Sequence, residues 1–183
     1  MNDIDEKALI KQAKRGEKRA AAEIYKRNYE AVFHFISYRV GGRSTAEDLT
    51  ADVFIKMLEN LETYQHRGRP LVAWLYTIAR NLVIDHYRQN DKSETLPIKD
   101  NLLAGEHGHP PEVMEQHRSR NCFRRALYHL TEPQRSVITH KILDERTTNE
   151  TASIMGKSER AVRSLQYRAL QALEKALEEE NCV

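Results

Sequence analysis

Three groups of side chains in this 183-residue chain have types and spacings suited to recognising a polyanion or a protein partner. The first is the run Tyr64-Gln65-His66-Arg67-Gly68-Arg69, followed by Thr77, Arg80, Asn81, Ile84, Tyr87 and Arg88. Guanidinium groups follow a phosphate backbone, rings stack on unpaired bases and an amide reads an exposed base edge, which is the chemistry of single-strand binding. The second is Lys157, Arg160, Arg163, Ser164, Tyr167 and Arg168, close behind Gly156. Arginines placed so can bond phosphates or the O6/N7 edge of guanine in a duplex. In the third group, Asp48 and Asp52 with Glu59 surround the apolar Ile55. That face reads either as a docking surface or as an ordinary acidic face with one exposed Ile.

Catalytic chemistry finds no support. The chain lacks a Walker A sequence, HExxH, Gly-x-Ser-x-Gly and any Cys/His/Asp constellation, and its eight His are scattered. His107, His109 and His117 have no carboxylate or thiolate partners at ligand spacing. No catalytic residue, metal or cofactor is therefore expected. Cys122 and Cys182 lie 60 positions apart without a CxxC pair, and are expected to be free thiols in a reducing compartment, with redox sensing the less favoured reading. No apolar run approaches the ~18–20 residues of a membrane span. The N-terminus MNDIDEKALIKQ lacks a basic-then-apolar signal pattern. The expectation is a cytoplasmic chain that does not insert into a membrane.

The elements that must position these residues are helical. Seven Gly, five Pro, 7% aromatics and a mean hydropathy of −0.71 suit small helical units with thin cores and argue against a sandwich or barrel. The spacing predicts helices over 4–15, 18–40 with a break near Asn28, 45–61 and 70–89, then over 113–129, 132–143, 148–155 and 159–179. Ser44-Thr45-Ala46-Glu47, Thr131-Glu132-Pro133-Gln134 and Thr147-Thr148-Asn149-Glu150 each fit a capping box. Pro70 and Pro133 suit first turns, and Gly16, Gly41-Gly42 and Gly156 mark stops.

Apolar stripes then fix the outward faces. Ala46, Leu49, Val53, Met57 and Leu61 form one stripe, which turns Asp48, Asp52 and Ile55 outward. Leu71, Leu75, Ile78, Ala79 and Leu82 form a second, with Trp74 partly aside and favoured as a packing residue over a stacking platform. In the last helix Val162, Leu165, Ala169, Leu173 and Ala176 face inward, opposite Arg160, Ser164, Tyr167 and Gln171. On periodicity alone that helix could equally be a solvated surface helix. The short capped helix and glycine turn before it favour a DNA-binding helix-turn-helix.

The net charge of +2 conceals a partition. Residues 1–92 hold 16 Lys+Arg against 13 Asp+Glu, giving +3. Residues 93–115 hold 1 against 5, giving −4, and residues 116–183 hold 12 against 9, giving +3. The middle stretch carries Pro97, Pro110 and Pro111 with Gly105 and Gly108 and shows no sustained period, as a flexible linker would. The expected fold is all-α, with two small helical domains, 1–92 and 116–183, joined by the acidic linker 93–115.

The run from Ala46-Glu47-Asp48-Leu49 to Phe54, and the run Trp74-Leu75-Tyr76-Thr77-Ile78-Ala79-Arg80-Asn81 through Ile84-Asp85-His86-Tyr87-Arg88, resemble the core of the extracytoplasmic-function (ECF) group of bacterial sigma-70 family sigma factors. Leu130-Thr131-Glu132-Pro133-Gln134-Arg135, the helix-turn-helix and Val162-Arg163-Ser164 resemble the fourth conserved region of the same group. The resemblance covers essentially the whole chain. It departs at Thr151, where an aliphatic residue is usual, at Gln166, where Leu is common, and at Glu145-Arg146-Thr147, where Gly-aliphatic-Ser usually leads into the motif.

The resemblance implies a non-enzymatic promoter-specificity factor that binds core RNA polymerase and both double- and single-stranded promoter DNA. Residues 1–92 would be the region 2 type domain and residues 116–183 the region 4 type domain. Asp48, Asp52 and Ile55 would dock on the coiled coil of the largest-subunit clamp. His66, Arg67, Arg69, Thr77, Arg80, Asn81, Ile84 and Arg88 would serve the melted −10 element, with Asn81 at the position of a base-reading residue. Lys157, Arg160, Arg163, Ser164, Tyr167 and Arg168 would read the −35 duplex. The linker would thread toward the RNA exit path, and the resemblance admits an anti-sigma factor as a further partner. A stand-alone helix-turn-helix regulator is the alternative. It gives Asp48, Asp52 and Ile55 no role.

Overall fold

The computed structural model describes residues 3–66, 68–91 and 111–182; at 3, 4, 90, 91, 111–118 and 120 it describes the backbone alone. Residues 92–110, and with them most of the expected linker 93–115, lie outside the described residues, as do Arg67, His107 and His109 and the side chain of His117. Among the described residues every regular element is helical.

The N-terminal lobe packs α1 (Asp3–Lys14), α2 (Lys18–Ser37), α3 (Arg43–Asn60) and α4 (Leu71–Asp91) around Ile24, Val32, Ile36, Val53, Met57, Leu71 and Leu75. The expected break at Asn28 is absent. Asn28 is buried in a continuous helix because its Nδ2 donates to the Ile24 carbonyl at 2.8 Å, which satisfies the amide one turn back. The expected box at Ser44–Glu47 is also absent, because α3 starts two residues earlier behind Gly42 (φ +84), and Arg43 pairs with Glu47 at 2.7 Å instead. The start of α4 is capped from far away in sequence. The Leu71 amide donates to Glu6 Oε1 of α1 at 2.8 Å, in a buried position.

The C-terminal lobe comprises α5 (Pro111–Tyr128), α6 (Glu132–Ile138), a π-helical turn (Thr139–Leu143), α7 (Thr148–Met155) and α8 (Glu159–Glu179). Helix α5 begins inside the stretch expected as linker, with Pro111 at its first position, where a missing donor costs nothing. The expected helix 132–143 is instead α6 plus the π-turn. Thr131 and Thr147 each donate from their amide to the side chain three residues on, Gln134 at 2.9 Å and Glu150 at 2.8 Å. Glu150 is held below the usual carboxylate range, chiefly by the Thr147 amide. Leu127, Val137 and Ile138 are fully buried against Val162 and Ala169 on the inner face of α8.

The two lobes pack on each other. Ile154 of α7 is buried in the N-terminal core, and Phe123 of α5 meets Tyr38 edge-on at 6.0 Å. Arg39 lies at the centre of the junction, donating to the Phe35 carbonyl at 2.8 Å, Glu132 Oε1 at 3.2 Å and Ser136 Oγ at 3.3 Å, with its guanidinium 3.6 Å from the Phe35 ring centroid. Desolvation lowers its pKa to about 10, which leaves it charged at neutral pH.

The cysteine expectation is overturned. Cys122 on α5 and Cys182 beyond α8 are joined in a disulfide with a Cα–Cα distance of 5.7 Å. A separation of 60 positions hid a proximity that the packing of α5 on α8 creates.

Candidate nucleic-acid interfaces

The first interface is a cleft between the end of α3, the 61–70 loop and α4. It has a volume of about 630 Å³, within the range of small-ligand sites, and is lined by Lys56, Asn60, Gln65, Trp74, Asn81 and Asp85 among others. The Trp74 ring is half-buried and stacked on Tyr64, with centroids 4.4 Å apart and planes at 26°. Trp74 therefore packs, as expected, and also forms part of the cleft wall. Three amides line the cleft, Asn60, Gln65 and Asn81; Asn60 Nδ2 donates to the Lys56 carbonyl at 2.8 Å, and the exposed Asn81 carries both a donor and an acceptor. Lys56 and Asn60 were missed in the sequence because they sit on α3, whose last turn reads as an ordinary polar face.

Helix α1 holds the loop in place. Lys14 Nζ donates to the carbonyls of Glu62 (3.0 Å) and Tyr64 (2.6 Å), closing the loop over the end of α3. Burial beside Glu6 pushes the Tyr64 hydroxyl up to about 12, so it stays a neutral donor.

The expected −10 residues separate by environment. Thr77, Arg80, Asn81, Ile84 and Arg88 are all exposed along one side of α4, with Asn81 reaching the cleft. Ile84 is 41% exposed, and Arg88 lies 3.9 Å from Asp85. Tyr87, placed on this outer face by periodicity, turns instead into the lobe junction and donates to the Arg39 carbonyl. His66 turns inward, its Nε2 3.4 Å from Glu6 Oε1, and its Nδ1 accepts from the Gly68 amide at 3.4 Å. Arg69 crosses to the other lobe. Its guanidinium donates to the carbonyls of Ile154 and, at 3.4 Å, Ser153 at the end of α7.

The second interface is the outer face of α8. Gly156 takes the left-handed conformation (φ +63) after α7, Ser158 Oγ accepts from the Ala161 amide at 3.2 Å, and the stripe Val162, Leu165, Ala169, Leu173 and Ala176 is buried as expected. Lys157, Arg160, Arg163, Ser164, Tyr167 and Arg168 are all exposed, Tyr167 by 65%. Thr151, at a position usually aliphatic in the resembled family, is fully buried and satisfied by donating to the Thr147 carbonyl at 2.9 Å. Glu145 keeps a left-handed backbone (φ +50) where the family usually has glycine.

The third surface is α3. Asp48, Asp52 and Ile55 are exposed, and Leu58, one turn from Ile55, is 54% exposed. Leu58 enlarges the apolar patch beyond the one residue that periodicity identified. No described helix is long and apolar enough to cross a membrane.

Comparison with known proteins places these surfaces in a family. Sigma-70 region 2 matches residues 24–93, and sigma-70 region 4 matches residues 120–173. The chain is 37% identical to the ECF RNA polymerase sigma factor BldN of Streptomyces coelicolor over 92% of its length, spanning 64% of that protein. It is 30% identical to the ECF RNA polymerase sigma factor SigD of Mycobacterium tuberculosis, covering 91% of this chain and 81% of that one. In fold it matches CnrH, solved in complex with the cytosolic domain of CnrY, with a TM-score of 0.66 at 22% identity over 95% of this chain and 97% of that chain. Region 2 and region 4 thus occur in order on one chain, which leaves no support for a stand-alone regulator. The protein belongs to the extracytoplasmic-function group of the sigma-70 family of RNA polymerase sigma factors.

Proposed function

We propose that this chain is the promoter-specificity subunit of a cytoplasmic RNA polymerase holoenzyme, acting by recognition and carrying out no catalysis. Residues 1–92 dock on the coiled coil of the polymerase clamp through Asp48, Asp52, Ile55 and Leu58, all exposed on α3. The exposed face of α4 holds the unpaired non-template strand through Arg80 and Arg88, and the cleft at Asn81 receives an extruded base. Residues 116–183 read the −35 duplex through Arg160, Arg163, Ser164, Tyr167 and Arg168, with Lys157 on phosphate. Stretch 93–115 connects the two. An anti-sigma partner would compete for the same surfaces.

Magnitudes favour this use of the cleft. Opening DNA costs about 1.4 kcal/mol per base-pair step. Stacking returns ~1–3 kcal/mol per captured base. A few captured bases therefore bias the duplex toward the open state without ATP.

The observation that carries the reading is the pairing of an amide-lined, aromatic-walled cleft on α4 with an exposed basic recognition helix on one chain. Run-off transcription with core polymerase on a promoter library tests it. Core plus this protein should give promoter-specific starts, which Asn81→Ala weakens through the −10 element and Arg160→Ala through the −35 element. Absence of specific initiation would overturn the reading.

A further inference from the structure

Cys122 and Cys182 are brought together by more than their own bond. After α8 the chain turns back at Asn181, which adopts the left-handed region (φ +54), and the Cys182 amide donates to the Leu177 carbonyl at 2.9 Å. One residue earlier, Glu180 is clasped by α5. Its Oε2 accepts from Arg125 Nε at 2.6 Å and its Oε1 lies 2.9 Å from His129 Nε2. These contacts hold Glu180 below the usual carboxylate range, His129 first and Arg125 next. Turn and clasp are contacts separate from the sulfur–sulfur bond, and both hold the Cys182 segment against α5. Both cysteines are half-buried, so a small reagent can reach them. Arg125 Nη2 also lies 3.6 Å from Cys122 Sγ.

We propose that Cys122 and Cys182 form a reversible dithiol–disulfide site, oxidised by small-molecule disulfides, that sets the stability of the recognition-helix lobe. The Cys122 thiolate attacks one sulfur of the reagent RSSR, forming a Cys122–SR mixed disulfide and expelling RS⁻. The Cys182 thiolate then attacks Cys122 Sγ, forming the Cys122–Cys182 bond and expelling the second RS⁻. The two thiol protons finish on two RSH, and the two electrons lost by the protein reduce RSSR. The closed loop spans 60 residues and contains α6, the π-turn, α7 and α8. A cross-link closing so long a loop removes much freedom from the unfolded lobe. The proposal rests on the fold of this lobe and stands apart from promoter recognition.

The test uses the full chain, reduced and then equilibrated in glutathione/glutathione-disulfide buffers, with alkylation and mass analysis of the quenched samples. The expected product has lost two hydrogens and retains no glutathione. Amide exchange across 121–182 should slow at least tenfold on oxidation, while 10–60 stays unchanged. Cys122→Ser and Cys182→Ser chains should show no slowing. Glu180→Ala, which opens the clasp, should slow closure from the mixed disulfide several-fold while leaving the thiols reactive. Stable mixed disulfides on both cysteines, or equal exchange in the two redox states, would overturn the proposal. So would closure insensitive to Glu180→Ala.

Discussion

Arg39 of the N-terminal lobe reaches Glu132 of the C-terminal lobe at 3.2 Å, with the arginine side chain 1% exposed and the glutamate 36%. The asymmetry means that the costlier partner to lose is the exposed one. Removing Glu132 leaves a buried cation compensated by the Phe35 carbonyl and ring and the Ser136 hydroxyl, with no anion in its place. Glu132→Ala should weaken lobe closure by about 1–3 kcal/mol, below the range for fully buried pairs because solvent screens the glutamate. An inter-lobe fluorescence distance, measured at rising salt, checks this. An unchanged distance would show that the apolar contacts alone hold the lobes together.

Gly156 presents a second, local vulnerability. Its φ of +63 suits glycine, and a Cβ there would sit 3.3 Å from Arg69 Cζ. Gly156→Ala should destabilise the C-terminal lobe by about 1–2 kcal/mol from the backbone alone. Arg69 is a flexible end that can yield, so the double variant with Arg69→Ala should recover little of that loss. Urea unfolding curves of both variants measure the difference.

Acid should loosen the junction. His140 is buried against Tyr76, with ring centroids 4.8 Å apart, and faces Asp144, Arg146 and Arg39, while His34 lies on the far oxygen of Asp144 at 3.6 Å. Its pKa is lowered, first by desolvation, against the opposing pull of Asp144. The unfolded chain therefore binds the proton more readily than the folded one. The stability carried by neutral His140 is complete above about pH 6.5 and is lost as pH falls below that value. Melting temperatures between pH 7.5 and 5 should fall for the native chain and fall less for His140→Gln.

The two proposed reading surfaces should respond differently to mutation. Arg160→Ala should cost about 1–3 kcal/mol on a −35 duplex if it bonds a base, and relax preference at one position. Arg80→Ala should lower affinity for all single strands alike and reduce the salt dependence by about one ion. Equilibrium binding of the holoenzyme to forked promoter probes at several salt concentrations separates the two patterns.

Periodicity exposed α8 fully in the sequence because one face of that helix meets solvent along its length. It exposed α4 only in part. Val72, Ala73, Tyr76 and Val83 are buried beyond the single stripe, since neighbouring N-terminal helices and the second lobe cover more of the rod than one stripe implies. Tyr76, for instance, donates to Asp144 from 68 positions away. His66 and Arg69 look alike as loop residues next to Arg67. One is turned inward by Glu6 and the other is drawn to the end of α7, and neither partner is near in sequence. Composition and caps specify elements locally, whereas these contacts exist only once the elements have packed.

Helix α4 carries Asn81 toward the cleft on one side, and Tyr76 and Tyr87 toward the lobe junction on the other. A helix is stiff over this length, so a rotation that suits one flank is imposed on the other. Base capture at the cleft, as proposed above, would then be linked to any separation of the lobes. If separation tightens capture by some factor, a captured base favours separation by the same factor, without any contact between nucleic acid and the C-terminal lobe.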